Sequence, residues 1–92
     1  MGDQCSAKLT IINKYGLHAR PATDFAQTAM GFASDIRVIT NAENADGKSI
    51  MELMMLAATK GTELEIVCKG NDAKEALEHL ASMIKRGFDE ED

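Results

Sequence analysis

Residues 62–84 have the sequence TELEIVCKGNDAKEALEHLASMI, in which the spacing of the apolar side chains changes midway from two residues to three or four. The first half alternates apolar with charged residues, which is typical of a strand with one buried and one solvated face. The apolar positions of this strand are Leu64, Ile66 and Cys68. After a polar turn, helical spacing predicts an amphipathic helix that begins at Asp72, with Glu75 completing a capping box, and ends near Gly87.

Earlier segments show the same two patterns. Alternation predicts a first strand at residues 7–13, and helical spacing predicts a first helix that follows His18 and ends at Gly31. Two further strands, at about residues 35–40 and just before Asp46, are separated by a polar turn and are expected to pair as a hairpin.

A short second helix is expected to begin at Ser49, which forms a capping box with Glu52, and to extend to about Ala58. This helix is apolar nearly all round, so its apolar side chains cannot all face the core. The side chains that can face the core are Ile50, Leu53 and Ala57. We expect some of the three methionines, Met51, Met54 and Met55, to be exposed. Exposed methionines form an adaptable surface suited to docking several partners, although any one of them could belong to a satellite core cluster.

The predicted order of elements is therefore βαββαβα. Because the strands and the first and last helices are apolar on one face only, we predict an α+β fold, an open-faced two-layer sandwich with a four-stranded antiparallel sheet and three helices on one face. The length of 92 residues suits a single domain, residues 1–92. We expect flexible ends at residues 1–6 and 89–92.

Composition narrows the classes of function. Four of the five net negative charges lie in residues 89–92, and there is no basic stripe, so a nucleic-acid partner is not expected. The longest apolar run, residues 53–58, is too short for a membrane span, and we expect a cytoplasmic protein without a membrane partner. Cys5 and Cys68 form neither a CxxC pair nor a His/Cys cluster, so neither a disulfide nor a metal site is predicted.

His18 is the residue with the clearest chemical potential. It lies in the segment GLHARPA, residues 16–22, at the junction of a strand and a helix. The first turn of a helix offers unpaired N–H groups to an anion, and Arg20 adds a permanently charged fork that matches phosphate oxygens. A neutral imidazole is also a suitable nucleophile for a phosphoryl group that must leave again. The alternative is an ordinary loop or N-cap histidine, while His79 is expected to be a solvated surface residue.

Together, GLHARPA and the segment KSIM at residues 48–51 resemble the two motifs of the histidine-containing phosphocarrier family, HPr and its nitrogen-branch relative NPr, of the bacterial phosphotransferase system. The resemblance implies that enzyme I phosphorylates Nδ1 of His18 with a group from phosphoenolpyruvate. Arg20, Ala19 and the first-helix amides would hold the phosphate, and an enzyme IIA-type protein would accept it. Such a protein is a carrier rather than an enzyme, needs no cofactor or metal, and is expected to be a monomer.

The resemblance also implies a partner surface and a regulatory site. The partner-binding residues would be Ala19, Thr23, Ile50, Met51 and Met54. Ser49 matches the family's regulatory serine, the target of a serine kinase/phosphorylase, although its role as a helix N-cap accounts for it equally well. Residues 57–61 and 87–90 are similar to NPr and favour the nitrogen-regulatory branch, whereas KSIM is similar to kinase-regulated HPr, so sugar uptake stays open.

Two other classes of function compete with a carrier. One is a regulatory protein-binding module, in which the phosphorylation state of His18 or Ser49 alters a contact without onward transfer. The other is a small ligand-binding domain, for which the sequence offers no convergent polar pocket.

Overall fold

A computed structural model describes residues 3–41 and 43–90. In this part of the chain, the elements are β1 (Asp3–Thr10), α1 (Ala19–Met30), β2 (Asp35–Thr40), β3 (Glu43–Asp46), α2 (Ile50–Met55), β4 (Glu63–Gly70) and α3 (Ala73–Lys85), followed by a 3-10 turn (Gly87–Asp89). The predicted order βαββαβα is therefore confirmed.

The four strands form one antiparallel sheet in the order β1-β4-β2-β3. The β2–β3 hairpin is confirmed, with Arg37 opposite Asp46 and Val38 opposite Ala45. Alternate side chains of β4 are buried beneath the helices, as their spacing predicts. The same face of the sheet carries the buried side chains of Leu9, Ile36, Val38, Leu64, Ile66 and Cys68. The opposite face stays open, which gives the predicted two-layer α+β sandwich.

The helices contribute small and branched side chains to this single core. Ala22, Phe25 and Ala26 of α1 are buried, and so are Leu80 and Ile84 of α3. The three- and four-residue spacing of these positions is what places them on one stripe of each helix. The core therefore holds α1 and α3 against the sheet and fixes where α1 begins.

The ends of the chain are more ordered than expected. Residues 3–6 belong to β1 and pair with residues 67–70 of β4, because β4 offers its full length as a partner. At the other end, Asp89 completes the 3-10 turn and Glu90 is hydrogen-bonded to two side chains. The prediction of flexible ends is thus wrong for these residues, and its remaining part falls on residues 1, 2, 91 and 92, outside the described residues.

The first strand also ends earlier than the predicted residue 13. β1 stops at Thr10, although Ile11 still makes two backbone hydrogen bonds. Its N–H donates to Thr62 O (2.9 Å), and its carbonyl oxygen accepts from Gly61 N–H (2.8 Å). The chain then turns through Asn13, so the loop before α1 starts at the sheet's end.

The second helix is shorter than predicted. It ends at Met55 rather than near Ala58, because Ala57 adopts a left-handed backbone with φ of 51°. This turn buries Ala58 and leaves Ala57 exposed, which reverses the expected placement of Ala57 in the core. Leu53 is fully buried as predicted.

The capping box predicted at Ser49 is only partly correct, and the one predicted at Asp72 is wrong. The Ser49 hydroxyl accepts a hydrogen bond from Glu52 N–H (3.2 Å), but the Glu52 carboxylate binds Asp46 N–H (2.9 Å) instead of returning to Ser49. The Asp72 carboxylate does not cap α3. It accepts hydrogen bonds from the backbone N–H groups of Ala33 and Ser34 at the α1–β2 connection, and from the Ser34 hydroxyl.

The Asp72 contacts have an electrostatic consequence. The hydrogen bond from the Ser34 hydroxyl, followed by the bond from Ala33 N–H, lowers the pKa of Asp72 below its ordinary value of 3.8. The ionised Asp72 carboxylate therefore connects the start of α3 to the residues just before β2.

The two cysteines are distant in sequence but lie opposite each other on adjacent strands. Cys5 of β1 is the register partner of Cys68 of β4, and both thiols are free. Burial, followed by the neighbouring Cys5, raises the pKa of the Cys68 thiol from 9.0 to about 11. Cys68 is therefore a core side chain with little thiolate character.

Candidate functional site

His18 is the residue that immediately precedes α1. Its backbone is extended (φ −79°, ψ −171°), its carbonyl accepts a hydrogen bond from Ala22 N–H (3.0 Å), and its side chain makes no capping bond to the helix. The side chain is 39% exposed. The imidazole is thus accessible at the start of a 12-residue helix, as the sequence predicts.

Two backbone donors beside His18 lack acceptors. Within residues 3–41 and 43–90, the N–H groups of Ala19 and Arg20 have no hydrogen-bond partner, and Pro21 has no N–H to satisfy. The positive end of the α1 dipole adds to these donors. An anion attached to His18 would therefore find unpaired N–H groups and a favourable potential close by.

The side chains predicted to surround His18 differ in position. Arg20 is exposed, and the described residues include no ion-pair partner for it. Thr23 is half-buried, and its hydroxyl donates to Ala19 O at 2.7 Å along the helix. Arg20 is therefore available to an incoming anion, whereas Thr23 is engaged with its own helix.

The loop before His18 is held against the loop after α2. Leu17 N–H donates to Ala58 O at 2.8 Å, and Leu17 is buried. Gly16 has φ of +66°, and a Cβ atom there would lie 2.2 Å from Ala58 O. Glycine is thus required at position 16 by both conformation and space, and the close contact fixes His18 relative to α2.

Three neighbours of the imidazole were missed by the sequence analysis. Nε2 of His18 lies 3.0 Å from Oε2 and 3.2 Å from Oε1 of Glu90, whose side chain is 15% exposed. Asn13 Nδ2 donates to the same Glu90 carboxylate at 2.8 Å. The Tyr15 ring meets the imidazole edge-on, with centroids 6.1 Å apart. No pattern in the sequence points to this neighbourhood, because Glu90 belongs to an end that is expected to be flexible.

An apolar patch lies on α2, which packs against α1. Met51, Met54 and Met55 are 73%, 43% and 69% exposed, so the prediction of exposed methionines is confirmed. They line a shallow apolar depression together with the half-buried Ile50. This surface, the α2 patch (residues 50, 51, 54 and 55), is soft and uncovered.

Two other candidate residues, Ser49 and His79, lie apart from the His18 imidazole. Ser49 is half-buried at the N-cap of α2. His79 is exposed on α3 and contacts the Phe32 ring (centroids 5.6 Å apart).

In the described part of the chain, no group of three or more His, Cys, Asp and Glu side chains could hold a metal ion, and no helix has both the length and the apolar character to cross a membrane.

A sequence model described as the "PTS HPr component phosphorylation site" matches residues 5–86 of the chain. The phosphocarrier protein HPr of Neisseria meningitidis serogroup A is 49% identical over 82 residues, which cover 89% of this chain and 92% of that protein. The chain belongs to the HPr family. The segments GLHARPA and KSIM both fall within the residues that the family model matches, and the Neisseria relative is a phosphocarrier by name.

Solved structures confirm the HPr fold. A crystal structure of HPr-C-His from Thermoanaerobacter tengcongensis superposes with a TM-score of 0.91 at 39% identity and covers 95% of this chain and 98% of that one. Crh of Bacillus subtilis, described as a swapped dimer, has a TM-score of 0.73 at 43% identity and covers 80% of this chain and 85% of that one. The HPr family thus includes a domain-swapped member.

Proposed function

We propose that this HPr-family chain is a single-domain phosphocarrier that accepts a phosphoryl group on His18 from phospho-enzyme I, ultimately from phosphoenolpyruvate, and passes it to an enzyme IIA-type acceptor in the cytoplasm. The observation that carries the proposal is the position of an exposed imidazole beside the unpartnered N–H groups of Ala19 and Arg20. The catalytic power lies in the partners, so the protein itself is a carrier rather than an enzyme and requires no cofactor.

Each neighbour of His18 has a distinct role in this proposal. The amides of Ala19 and Arg20 donate to phosphate oxygens, and the exposed Arg20 guanidinium forms charge-assisted hydrogen bonds with them. These contacts stabilise the phosphorylated protein without trapping it, because a surface-exposed charge at a helix N-terminus gains only about 0.3–1 kcal/mol. A carrier needs this balance, since the same group must leave again.

The α2 patch supports docking of the two partners in turn. Its residues Met51 and Met54, with Ile50 and the helix-start residues Ala19 and Thr23, form the proposed partner surface. Methionine side chains adapt to different surfaces at low cost, which suits a donor and an acceptor that are unlike each other. A monomer leaves this surface open to each partner in succession, and we propose that state for the carrier.

Ser49 supports a second, regulatory proposal. Its hydroxyl lies at the start of α2, next to the α2 patch, where a phosphate from a serine kinase would change the charge of the partner surface. The chain would then act as a regulatory binding module when phosphorylated at Ser49. Assignment to the nitrogen-regulatory rather than the sugar branch stays a prediction.

A label-chase experiment separates a carrier from a module that passes nothing on. The protein is loaded with labelled phosphoryl groups by enzyme I and phosphoenolpyruvate, freed of both, and mixed with a candidate IIA-type acceptor. A carrier loses its label to the acceptor as fast as the acceptor gains it. Stable label on the protein with every IIA-type acceptor of the same organism would contradict onward transfer and favour the regulatory module.

A further inference from the structure

The Glu90 carboxylate occupies one side of the His18 ring. Its two oxygens lie 3.0 and 3.2 Å from Nε2, although the two residues are 72 positions apart in sequence. Nδ1, on the other side of the ring, has no hydrogen-bond partner among the described residues. Glu90 also lies beyond residues 5–86, the part of the chain that matches the family's sequence pattern. The contact therefore lies outside the part of the chain that the family model describes.

Asn13 fixes the orientation of this carboxylate. Its side chain is 3% exposed, and its Nδ2 donates to both Glu90 Oε1 and Gly16 O, each at 2.8 Å. The reverse amide orientation would place Oδ1 against these two acceptors, so only one orientation satisfies the contacts. Asn13, Glu90 and His18 thus form a directed chain of hydrogen bonds.

The C-terminal backbone is shaped to deliver Glu90 to the ring. After α3, residues 87–89 all have positive φ (63°, 57° and 58°) and form a left-handed turn. The Phe88 side chain is buried, and Glu90 N–H donates to Gly87 O at 3.1 Å. The buried Phe88 side chain therefore holds the turn against the core, and the hydrogen bond from Glu90 to Gly87 closes it.

An ionised carboxylate can only accept hydrogen bonds, so a neutral imidazole that bonds to it must carry its proton on Nε2. We propose that Glu90 is a positioning residue that holds His18 in the Nε2–H tautomer and thereby leaves the Nδ1 lone pair as the nucleophile. The role in transfer rests on the proposed function, whereas the tautomer itself does not.

This tautomer makes phosphoryl transfer free of proton movement at the ring. In the forward step, the Nδ1 lone pair forms the N–P bond while the bond from phosphorus to the donor breaks, and its electron pair leaves with the donor. The positive charge gained by the ring is shared with Nε2–H, which faces the Glu90 carboxylate. In the onward step, the N–P bond breaks, its electron pair returns to Nδ1, and the ring leaves as a neutral imidazole.

Two substitutions at Glu90 are expected to affect the His18 tautomer differently. In Glu90→Gln, the single side-chain oxygen accepts from Asn13, and the amide NH2 is then directed at His18 Nε2. That NH2 can only donate, so it selects the Nδ1–H tautomer and removes the Nδ1 lone pair. Glu90→Ala removes the partner altogether and leaves the two tautomers free to mix.

The test measures the imidazole 15N chemical shifts of the full chain across a pH series and compares the proteins at the high-pH plateau, where the shifts no longer change. We expect a protonated Nε2 in the wild type, a protonated Nδ1 in Glu90→Gln and averaged shifts in Glu90→Ala. Glu78→Gln, at an exposed glutamate of α3, serves as the matched control and should match the wild type. Circular dichroism checks that all variants are folded. Identical 15N shifts in wild type and both Glu90 variants would overturn the proposal.

The phosphorylation rate provides a second readout. Loss of a group that orients an imidazole costs about 10- to 100-fold at metal sites, and we expect a loss in this range for labelling of Glu90→Gln by enzyme I, with Glu90→Ala less affected. If wild type is never labelled, the proposed function fails while the 15N result still decides the tautomer. If Glu90→Gln shows the reversed tautomer but is labelled at the wild-type rate, the proposed role of Glu90 in transfer is wrong and the carrier function stands.

Discussion

Gly16→Ala is expected to destabilise the protein and to displace His18. The Cβ atom that alanine adds would lie 2.2 Å from Ala58 O and 2.8 Å from Thr59 Cα, and both of these are backbone atoms that cannot rotate away. Alanine would also have to adopt φ of +66°. The loop after α2 must therefore move away from the loop that carries His18, which breaks the hydrogen bond from Leu17 N–H to Ala58 O.

The expected loss combines three effects. A left-handed backbone costs an L-residue about 1–2 kcal/mol, and overpacking against fixed neighbours costs about 1–3 kcal/mol. Reduced freedom of the unfolded chain returns about 0.4–1 kcal/mol. The free energy of unfolding should thus fall by about 1–4.6 kcal/mol, which lowers the Tm of a domain of this size by about 4 °C or more.

Gly61→Ala is the matched control. Gly61 also has positive φ (+93°), but nothing lies within 4 Å of the Cβ that alanine would add. Urea unfolding followed by circular dichroism should show that Gly16→Ala loses at least about 1 kcal/mol more than Gly61→Ala, because only Gly16 faces the additional overpacking. Equal losses in the two variants would refute the argument that space at Gly16, rather than backbone conformation alone, requires glycine.

Three further predictions concern other parts of the molecule. Because the pKa of Cys68 is about 11 instead of 9.0 and its thiol is buried, native protein should alkylate at Cys5 at least ~100-fold faster than at Cys68; equal rates by peptide mass spectrometry would contradict the described burial. The pKa of Asp72 is lower in the folded than in the unfolded chain, so its stabilising effect is present above about pH 4 and is lost as the pH falls through the folded-state value. Asp72→Asn should therefore have a lower Tm than wild type at pH 7, and the difference in Tm should shrink in acid. A difference in Tm that does not change with pH would count against this. Phosphorylation of Ser49 should raise the Tm less in wild type than in Glu52→Gln, because the Glu52 carboxylate lies at the same helix start and repels the phosphate; the same shift in both proteins would show that this charge is irrelevant.

The sequence predicted the elements that have strong periodicity. β2, at Asp35–Thr40, agrees with the expected bounds, and α3 begins at Ala73 as its spacing indicates. Alternation and helical spacing report directly which side chains can face a core, so these elements were predictable. The position of His18 immediately before α1 was predictable for the same reason, since a change of period locates the junction.

The parts that were missed depend on contacts between distant residues. Ala57 is a good helix former, yet it ends α2 in a left-handed conformation, which allows Ala58 O to accept a hydrogen bond from Leu17 N–H. Glu90 belongs to an acidic run that is typical of a solvated tail, and only the turn after α3 directs it to His18. Local propensity contains no information about either contact, because each partner lies tens of residues away in the sequence.

His18 is proposed as the phosphoryl acceptor, and the chain provides its own control because His79 is the only other histidine. Wild type, His18→Ala and His79→Ala are incubated with enzyme I and labelled phosphoenolpyruvate, and the label is tested for loss in acid and survival in base. We predict acid-labile, base-stable label on wild type and on His79→Ala and none on His18→Ala. Label retained by His18→Ala, or absent from wild type with a competent enzyme I of the same organism, would show that His18 is not the phosphoryl acceptor.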